Sequence, residues 1–197
     1  MNKLILATAS PRRIDMLNNM GIKFKSVKSF YNEPKRKKGQ PPSEYVETNA
    51  EEKAKSVLKK FNKGLIVGSD TVVVYKNRVL GKPKDMNEAF EYIYLLNGKT
   101  HSVYTGLSII NCENGKLLSS HEKTLVTFRN LTESEITDYL NMIDPLDKAG
   151  AYAIQGQGAL VVEKINGCYY NVVGFPVSKL ESMLLDFETS LFEYMKK

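Results

Sequence analysis

Glu33 and Asp70, the cations Arg12, Arg13, Lys53 and Lys82, and the hydroxyls of Ser10 and Thr71 are the residues of this sequence whose types suit one chemistry together. Cleaving a phosphoanhydride needs cations against the phosphoryl oxygens, carboxylates that hold a divalent ion such as Mg²⁺, and a base that orients or deprotonates the attacking water. This set can supply all three. The two histidines, His101 and His121, flank no serine or cysteine motif and are expected as surface or strand-edge residues. A Walker loop and a GxGxxG fingerprint are missing, and Gly156-Gln157-Gly158 is too short for a phosphate loop, so a phosphate site here must follow another design.

The stretch "SPRR" is where that design shows most plainly. The apolar run Leu4, Ile5, Leu6 reads as a strand, Ser10 stands as an N-cap, and Pro11 takes the first helical position, which puts Arg12 and Arg13 in the first turn. Cations there oppose the partial positive charge of the helix start, at about 0.3–1 kcal/mol each. Arg13 also takes the place of the Glu or Gln of a capping box. A bound anion would turn this arrangement into a favourable one, with backbone N–H groups, a hydroxyl and guanidinium forks all converging on it. Two solvated arginines are the plainer alternative.

Stepping outward, apolar segments alternate with amphipathic helical ones and predict an α/β protein without repeats or a clear linker. A second strand is expected near residues 22–27, and a long helix over residues 43–61. Lys53 falls inside the apolar stripe of that helix, made by Ala50, Ala54, Val57, Leu58 and Phe61, so it must snorkel or meet an anion. A short strand at residues 65–67 is expected to resume at 71–75, leaving Asp70 at the junction as an exposed, hydrogen-bonded or cation-facing carboxylate. A turn follows near Lys76-Asn77, then Lys82-Pro83, and Asp85 caps a helix that Gly98 terminates. Long strands at 101–111 and 116–128 read as a hairpin, and Thr132 with Glu135 forms a capping box. Strands near 159–165 and 169–173 flank Asn166-Gly167, and a closing helix starts near Pro176.

With 28 basic against 22 acidic residues the net charge is +6, which favours anionic partners without choosing between nucleic acid and small phosphates. The run Lys35-Arg36-Lys37-Lys38 reads as a solvated loop. Cys112 and Cys168 lack metal-like spacing, and no apolar stretch approaches a membrane span, so a cytoplasmic protein is expected.

The segments "ILATASPRR", "YVETNAEEKA", "VGSDTVVVYKNRVLGKPKD", "HSVYTGLSI", "DKAGAYAIQGQGA" and "GCYYNVVGFPV" resemble, in order, those of the Maf proteins, a family of nucleoside triphosphate pyrophosphatases. The resemblance implies a single domain over residues 1–197 with a fold like that of inosine triphosphate pyrophosphatase: a mixed curved sheet, flanking helices and a cleft between two lobes. It implies cleavage between the α- and β-phosphates with Mg²⁺ or Mn²⁺. Asp70 would be the proton acceptor or metal-linked base and Glu33 its metal-binding companion; Ser10, Arg12, Arg13, Lys53 and Lys82 would grip phosphates. Thr8 stands where the family often has serine, and Asn49 where an apolar residue is usual; neither is expected to touch the chemistry.

Gln155 in "AYAIQG" resembles the branch acting on dTTP and UTP, and a carboxamide suits their shared imide edge by accepting from N3–H and donating to O4. Thr71 and Gln155 also have plain readings, as a β-former and a loop residue. The expected partner is the nucleoside triphosphate, with no membrane association, no stable nucleic-acid complex, and room for a homodimer. Two other readings stand beside this one: a basic module that binds nucleic acid or a division protein, and a same-fold enzyme directed at purine nucleotides.

Overall fold

The computed structural model describes residues 3–195, and the chain divides into two compact units. The first comprises residues up to Asp70, Thr105–Glu122 and the stretch from Gly174 onward; the second comprises Thr71–Tyr104 and Lys123–Val173. The architecture is the expected mixed α/β sheet with flanking helices. In chain order its elements are β1 (Leu4–Ala7), α1 (Pro11–Asn19), β2 (Lys25–Val27), α2 (Pro42–Leu58), β3 (Leu65–Tyr75), β4 (Arg78–Leu80), α3 (Met86–Leu96), β5 (Thr100–Asn111), β6 (Leu117–Phe128), α4 (Glu133–Met142), β7 (Val162–Asn166), α5 (Tyr169–Val173) and α6 (Val177–Leu185). The strand order is β2-β1-β3-β5-β6-β7, with β4 paired to β3. Among the described residues no helix is long and apolar enough to cross a membrane.

In the first unit β1 pairs parallel to both β2 and β3, with Leu4 opposite Leu65 and Ile5 opposite Ile66. A strand flanked in parallel on both sides is buried on both faces, which is why "LILA" is apolar throughout. Ile5, Ala7 and Ile66 pack against Ala54 and Val57 of α2 and Ile110 of β5. The second strand is shorter than expected. Ile22 leaves the ladder to bridge Met195, and the Lys23 amide donates to the Tyr194 carbonyl at 2.6 Å.

The second unit is built round Val73, Leu80, Ile93, Val103, Phe128, Ile136, Tyr139 and Tyr152. Asp85 caps α3 by accepting from the Glu88 amide at 2.8 Å, and the Thr132–Glu135 capping box on α4 is complete. Lys76 and Asn77 both take positive φ, as a two-residue hairpin turn requires.

Three sequence expectations are corrected. First, β3 runs without a break from Leu65 to Tyr75, so Asp70 sits inside a strand. Gly68 does not interrupt β3, because its missing side chain serves a close helix approach described below. Second, residues 169–173 form a helix, not a strand. Their β-prone Tyr and Val residues are overridden by Asn171, whose amide is buried and donates to the Val103 carbonyl (3.1 Å) and the Thr124 hydroxyl (2.9 Å), while the Cys168 amide also donates to Thr124 (3.0 Å). The preceding strand starts only at Val162, after a 3₁₀ turn over Gly156–Leu160. Third, His101 is a core residue, 2% exposed, not a surface one.

Candidate active site

Asp70 is 4% exposed, yet its carboxylate is fully engaged from the side of α2. Oδ1 receives the Lys53 ammonium at 2.6 Å, and Oδ2 receives the Asn49 amide at 2.9 Å. Lys53 and Asn49 are four residues apart, so they project from one face of α2. The same ammonium reaches Glu33 Oε1 at 2.6 Å and the Ser69 carbonyl at 3.4 Å. One cation therefore bridges two carboxylates, and the sequence's question about Lys53 is answered by an anion. Burying a carboxylate is tolerable only with such pairing and additional hydrogen bonds.

Two glycines allow α2 to sit that close. A Cβ on Gly68 would lie 2.0 Å from the Ala50 carbonyl oxygen, and one on Gly106 would lie 2.2 Å from that of Val46. The backbone of the helix thus rests directly on β3 and β5, which fixes the height of Asn49 and Lys53 above Asp70.

Arg13 and Arg12 part company. Arg13 donates from Nη1 to the Ser69 carbonyl and from Nε to the Gly174 carbonyl, both at 2.8 Å. Burial depresses its pKa while the charges of Asp70 and Glu33 oppose that shift. Its fork ties the backbone next to Asp70 to that of Gly174, whose carbonyl also accepts from the Ser69 hydroxyl at 3.4 Å. Arg12 is half-buried in the first turn of α1. Ser10 occupies the N-cap position as expected, but its hydroxyl does not cap the helix, and no acidic residue stands in the first turn. The Ser10 amide is instead held by Thr8 Oγ1 at 3.1 Å.

The two departures noted in the sequence therefore do touch the site. Thr8, 5% exposed, shapes the entry to α1, and Asn49, 1% exposed, bonds Asp70 itself. Sequence reasoning passed over Asn49 although a signal was present: an amide at a buried stripe position, one turn before Lys53, has to meet a polar partner. The Tyr31 and Tyr45 hydroxyls were missed as well, and no pattern in the sequence pointed to them.

The remaining candidates lie in the second unit. Thr71 follows Asp70 in β3 and is half-buried. Lys82 is exposed in the connection between β4 and α3, directly after Gly81, whose carbonyl accepts from the Gly150 amide at 3.0 Å. Gly150 takes φ +69 and a Cβ there would meet Val73 at 2.8 Å, so only glycine fits this tie. Gln155 is exposed at the N-cap of the 3₁₀ turn without using its amide as a cap. Lys148 pairs with Asp147 at 2.5 Å and also donates to the Asp144 carbonyl, which makes the local ion pair the observed arrangement for these two residues.

Among the described residues no group of three or more His, Cys, Asp or Glu side chains is arranged to hold a metal ion. The Glu33–Asp70 pair nevertheless fits a divalent ion of the Mg²⁺ type, which binds through one or two protein carboxylates together with substrate phosphates. Two carboxylate oxygens that share one ammonium already face a common cationic position.

The sequence model of the family described as Maf-like protein matches residues 3–187. A dTTP/UTP pyrophosphatase of Clostridium botulinum is 44% identical over 194 residues, covering 97% of this chain and 100% of that protein. A dTTP/UTP pyrophosphatase of Thermoanaerobacter sp. is 46% identical over 183 residues, covering 92% and 95% respectively. Among solved structures, a nucleoside-triphosphatase / dITP/XTP pyrophosphatase from Mycobacterium abscessus superposes on 66% of this chain and 75% of its own, with 14% identity and a TM-score of 0.44.

Proposed function

The chain belongs to the Maf-like protein family, and from that premise we propose that it is a nucleoside triphosphate pyrophosphatase that hydrolyses dTTP and UTP to the monophosphate and pyrophosphate. The observation that carries this reading is the shared cation position between Glu33 and Asp70, set beside the activity named for relatives that match the chain over nearly its whole length.

In this reading Glu33 and Asp70 would hold a divalent ion, Mg²⁺ or Mn²⁺, which would supply neutralising charge to the phosphoryl oxygens. Asp70 accepts the proton of the attacking water, and the Asn49 amide on its Oδ2 keeps the carboxylate from rotating. Lys53 has its ammonium within reach of that position and moves its charge onto a phosphate oxygen as the substrate arrives. The uncapped start of α1, with the Ser10 hydroxyl and Arg12, receives the terminal phosphates. Arg13, whose fork is committed to two carbonyls, contributes fixed positive charge and keeps the Ser69 and Gly174 backbone in place. Lys82 adds a further phosphate contact, Thr71 a hydroxyl, and Gln155 reads the imide edge of uracil or thymine.

The test is pyrophosphate release, scored apart from orthophosphate, across natural and modified nucleoside triphosphates with Mg²⁺. Release from dTTP and UTP is expected, with a loss of at least about 100-fold in Asp70→Asn, the scale of a general base. Release only from inosine or xanthosine triphosphate would overturn the base assignment. No release from any nucleotide by folded protein would overturn the enzyme reading and favour a basic binding module, whose affinity for nucleic acid would fall steeply with salt.

A further inference from the structure

Asn49 stands in the middle of a helix, 1% exposed, at a position where a leucine would bury more apolar surface and suit the helix better. Its amide is oriented from both ends. An ionised carboxylate can only accept, so the NH₂ group faces Asp70 Oδ2; the Tyr31 hydroxyl donates to Oδ1 from the other side at 3.4 Å. The Tyr45 hydroxyl, one turn earlier on α2, donates to the Pro34 carbonyl at 2.8 Å. Tyr31 and Pro34 bracket Glu33 in the chain. One amide is thus tied directly to one carboxylate and, through Tyr31, to the segment that carries the other, which Tyr45 holds to α2 independently.

We infer that Asn49 is a positioning residue that sets the separation and orientation of the Glu33–Asp70 pair, and so the affinity of the site for a divalent ion. The inference rests on the pyrophosphatase reading for its kinetic consequence, but its structural content does not. Holding Asp70 Oδ2 leaves Oδ1 as the oxygen presented to the cation position. The Tyr31 and Tyr45 bonds limit how far the Glu33 segment can swing from α2. A leucine at position 49 would keep the packing of α2 and lose the ties to Asp70 and Tyr31 together.

The experiment compares wild type, Asn49→Leu, Tyr31→Phe and Asp70→Asn. Each is examined for Mn²⁺ binding by electron paramagnetic resonance in the presence of α,β-methylene dTTP, which cannot be cleaved at the relevant bond, and for kcat and KM with dTTP. Asn49→Leu is expected to weaken Mn²⁺ binding about tenfold and to lower kcat by about 10- to 100-fold, the usual cost of losing a group that orients a metal ligand. KM for dTTP is expected to stay within about twofold, because no phosphate contact is removed. Tyr31→Phe, which removes one hydroxyl from a half-buried ring, is expected to shift both quantities in the same direction by about two- to fivefold. In an Asp70→Asn background, Asn49→Leu is expected to change Mn²⁺ binding far less than in wild type, since the group it positions is gone. Wild-type Mn²⁺ affinity and kcat in both Asn49→Leu and Tyr31→Phe would overturn the inference, as would additive effects with Asp70→Asn. Should Asn49→Leu fail to fold, Tyr31→Phe in the wild-type and Asp70→Asn backgrounds decides alone. Full pyrophosphate release by Asp70→Asn would overturn the assignment of the base, a separate result that leaves the Mn²⁺ arm intact.

Discussion

Around Asp70 the first unit buries charge, whereas around His101 the second unit buries polar groups that carry none. His101 lies edge-on to both Phe128 and Tyr152, with ring centroids 4.9 and 5.3 Å away, and its Nε2 meets the Tyr152 hydroxyl at 2.8 Å. Desolvation pushes its pKa down to about 4, and burial pushes those of Tyr152 and Tyr139 upward, so all three are neutral at pH 7. The first unit solves the same solvation problem by bringing an ammonium, an amide and a second carboxylate to one place. Neutral burial needs no counter-charge. Charged burial is expensive, and the Glu33 end of the cluster is left 48% exposed, which lets a solute compete for the cation position. The two clusters thus separate a group that consolidates a core from one suited to being displaced.

Breaking the charged cluster should have the largest effect. Lys53→Met leaves two carboxylates facing each other without their shared cation. kcat should fall by about 100- to 1,000-fold, the range seen when a single charge-stabilising donor is lost. Nucleotide-free Mn²⁺ should bind about tenfold more tightly, because the ion no longer competes with an ammonium. Calorimetric titration with Mn²⁺ checks the second half independently of turnover.

The neutral cluster should respond to pH instead. The unfolded imidazole titrates at about 6.5 and the folded one at about 4, so between those values the unfolded chain binds more protons. Stability present above pH 6.5 is therefore lost as pH falls, by about 3 kcal/mol once pH 4 is passed. His101→Phe removes this dependence. Urea midpoints at pH 7, 5.5 and 4.5 should converge towards the variant's as the pH drops, and a wild-type slope retained in the variant would show that another group is responsible.

The smallest effect is expected from Tyr152→Phe, which removes one partner of a buried bond and keeps the ring. A loss of about 1–2 kcal/mol in thermal unfolding is expected, with no change in pyrophosphate release. The same-sized deletion at Tyr31 should do the reverse, altering metal binding more than stability. Matching the two phenylalanine variants side by side is the finest test of the contrast.

Much of this was legible in the sequence for local reasons. The Asp85 cap, the Thr132–Glu135 box and the turn at Lys76-Asn77 each depend on residues within a few positions of one another, and each is present. Lys53 in its apolar stripe had either to snorkel or to meet an anion, and Asp70 and Glu33 supply the anion. What escaped was set by distant partners. The helix over Tyr169–Val173 depends on Thr124 and Val103, some fifty to seventy residues away, while its own residues favour a strand. The unbroken β3 depends on Ala50 resting against Gly68, so a glycine that reads as an interruption is a seat for a helix. The Ser69 and Gly174 carbonyls that accept from Arg13 lie far from it in sequence, and no spacing rule could name them.

The seating of α2 on two glycines has a consequence in the timing of order. A residue on a mobile loop gives up its conformational freedom when a ligand arrives, and each immobilised side chain then subtracts about 0.5–1.5 kcal/mol from affinity. Asp70, hung from the interior of an eleven-residue strand that the helix touches backbone to backbone at Gly68, surrendered that freedom when the chain folded. Its share of the entropy of recognition was settled before any nucleotide approached, and what remains for the encounter to arrange is the exposed Glu33 segment.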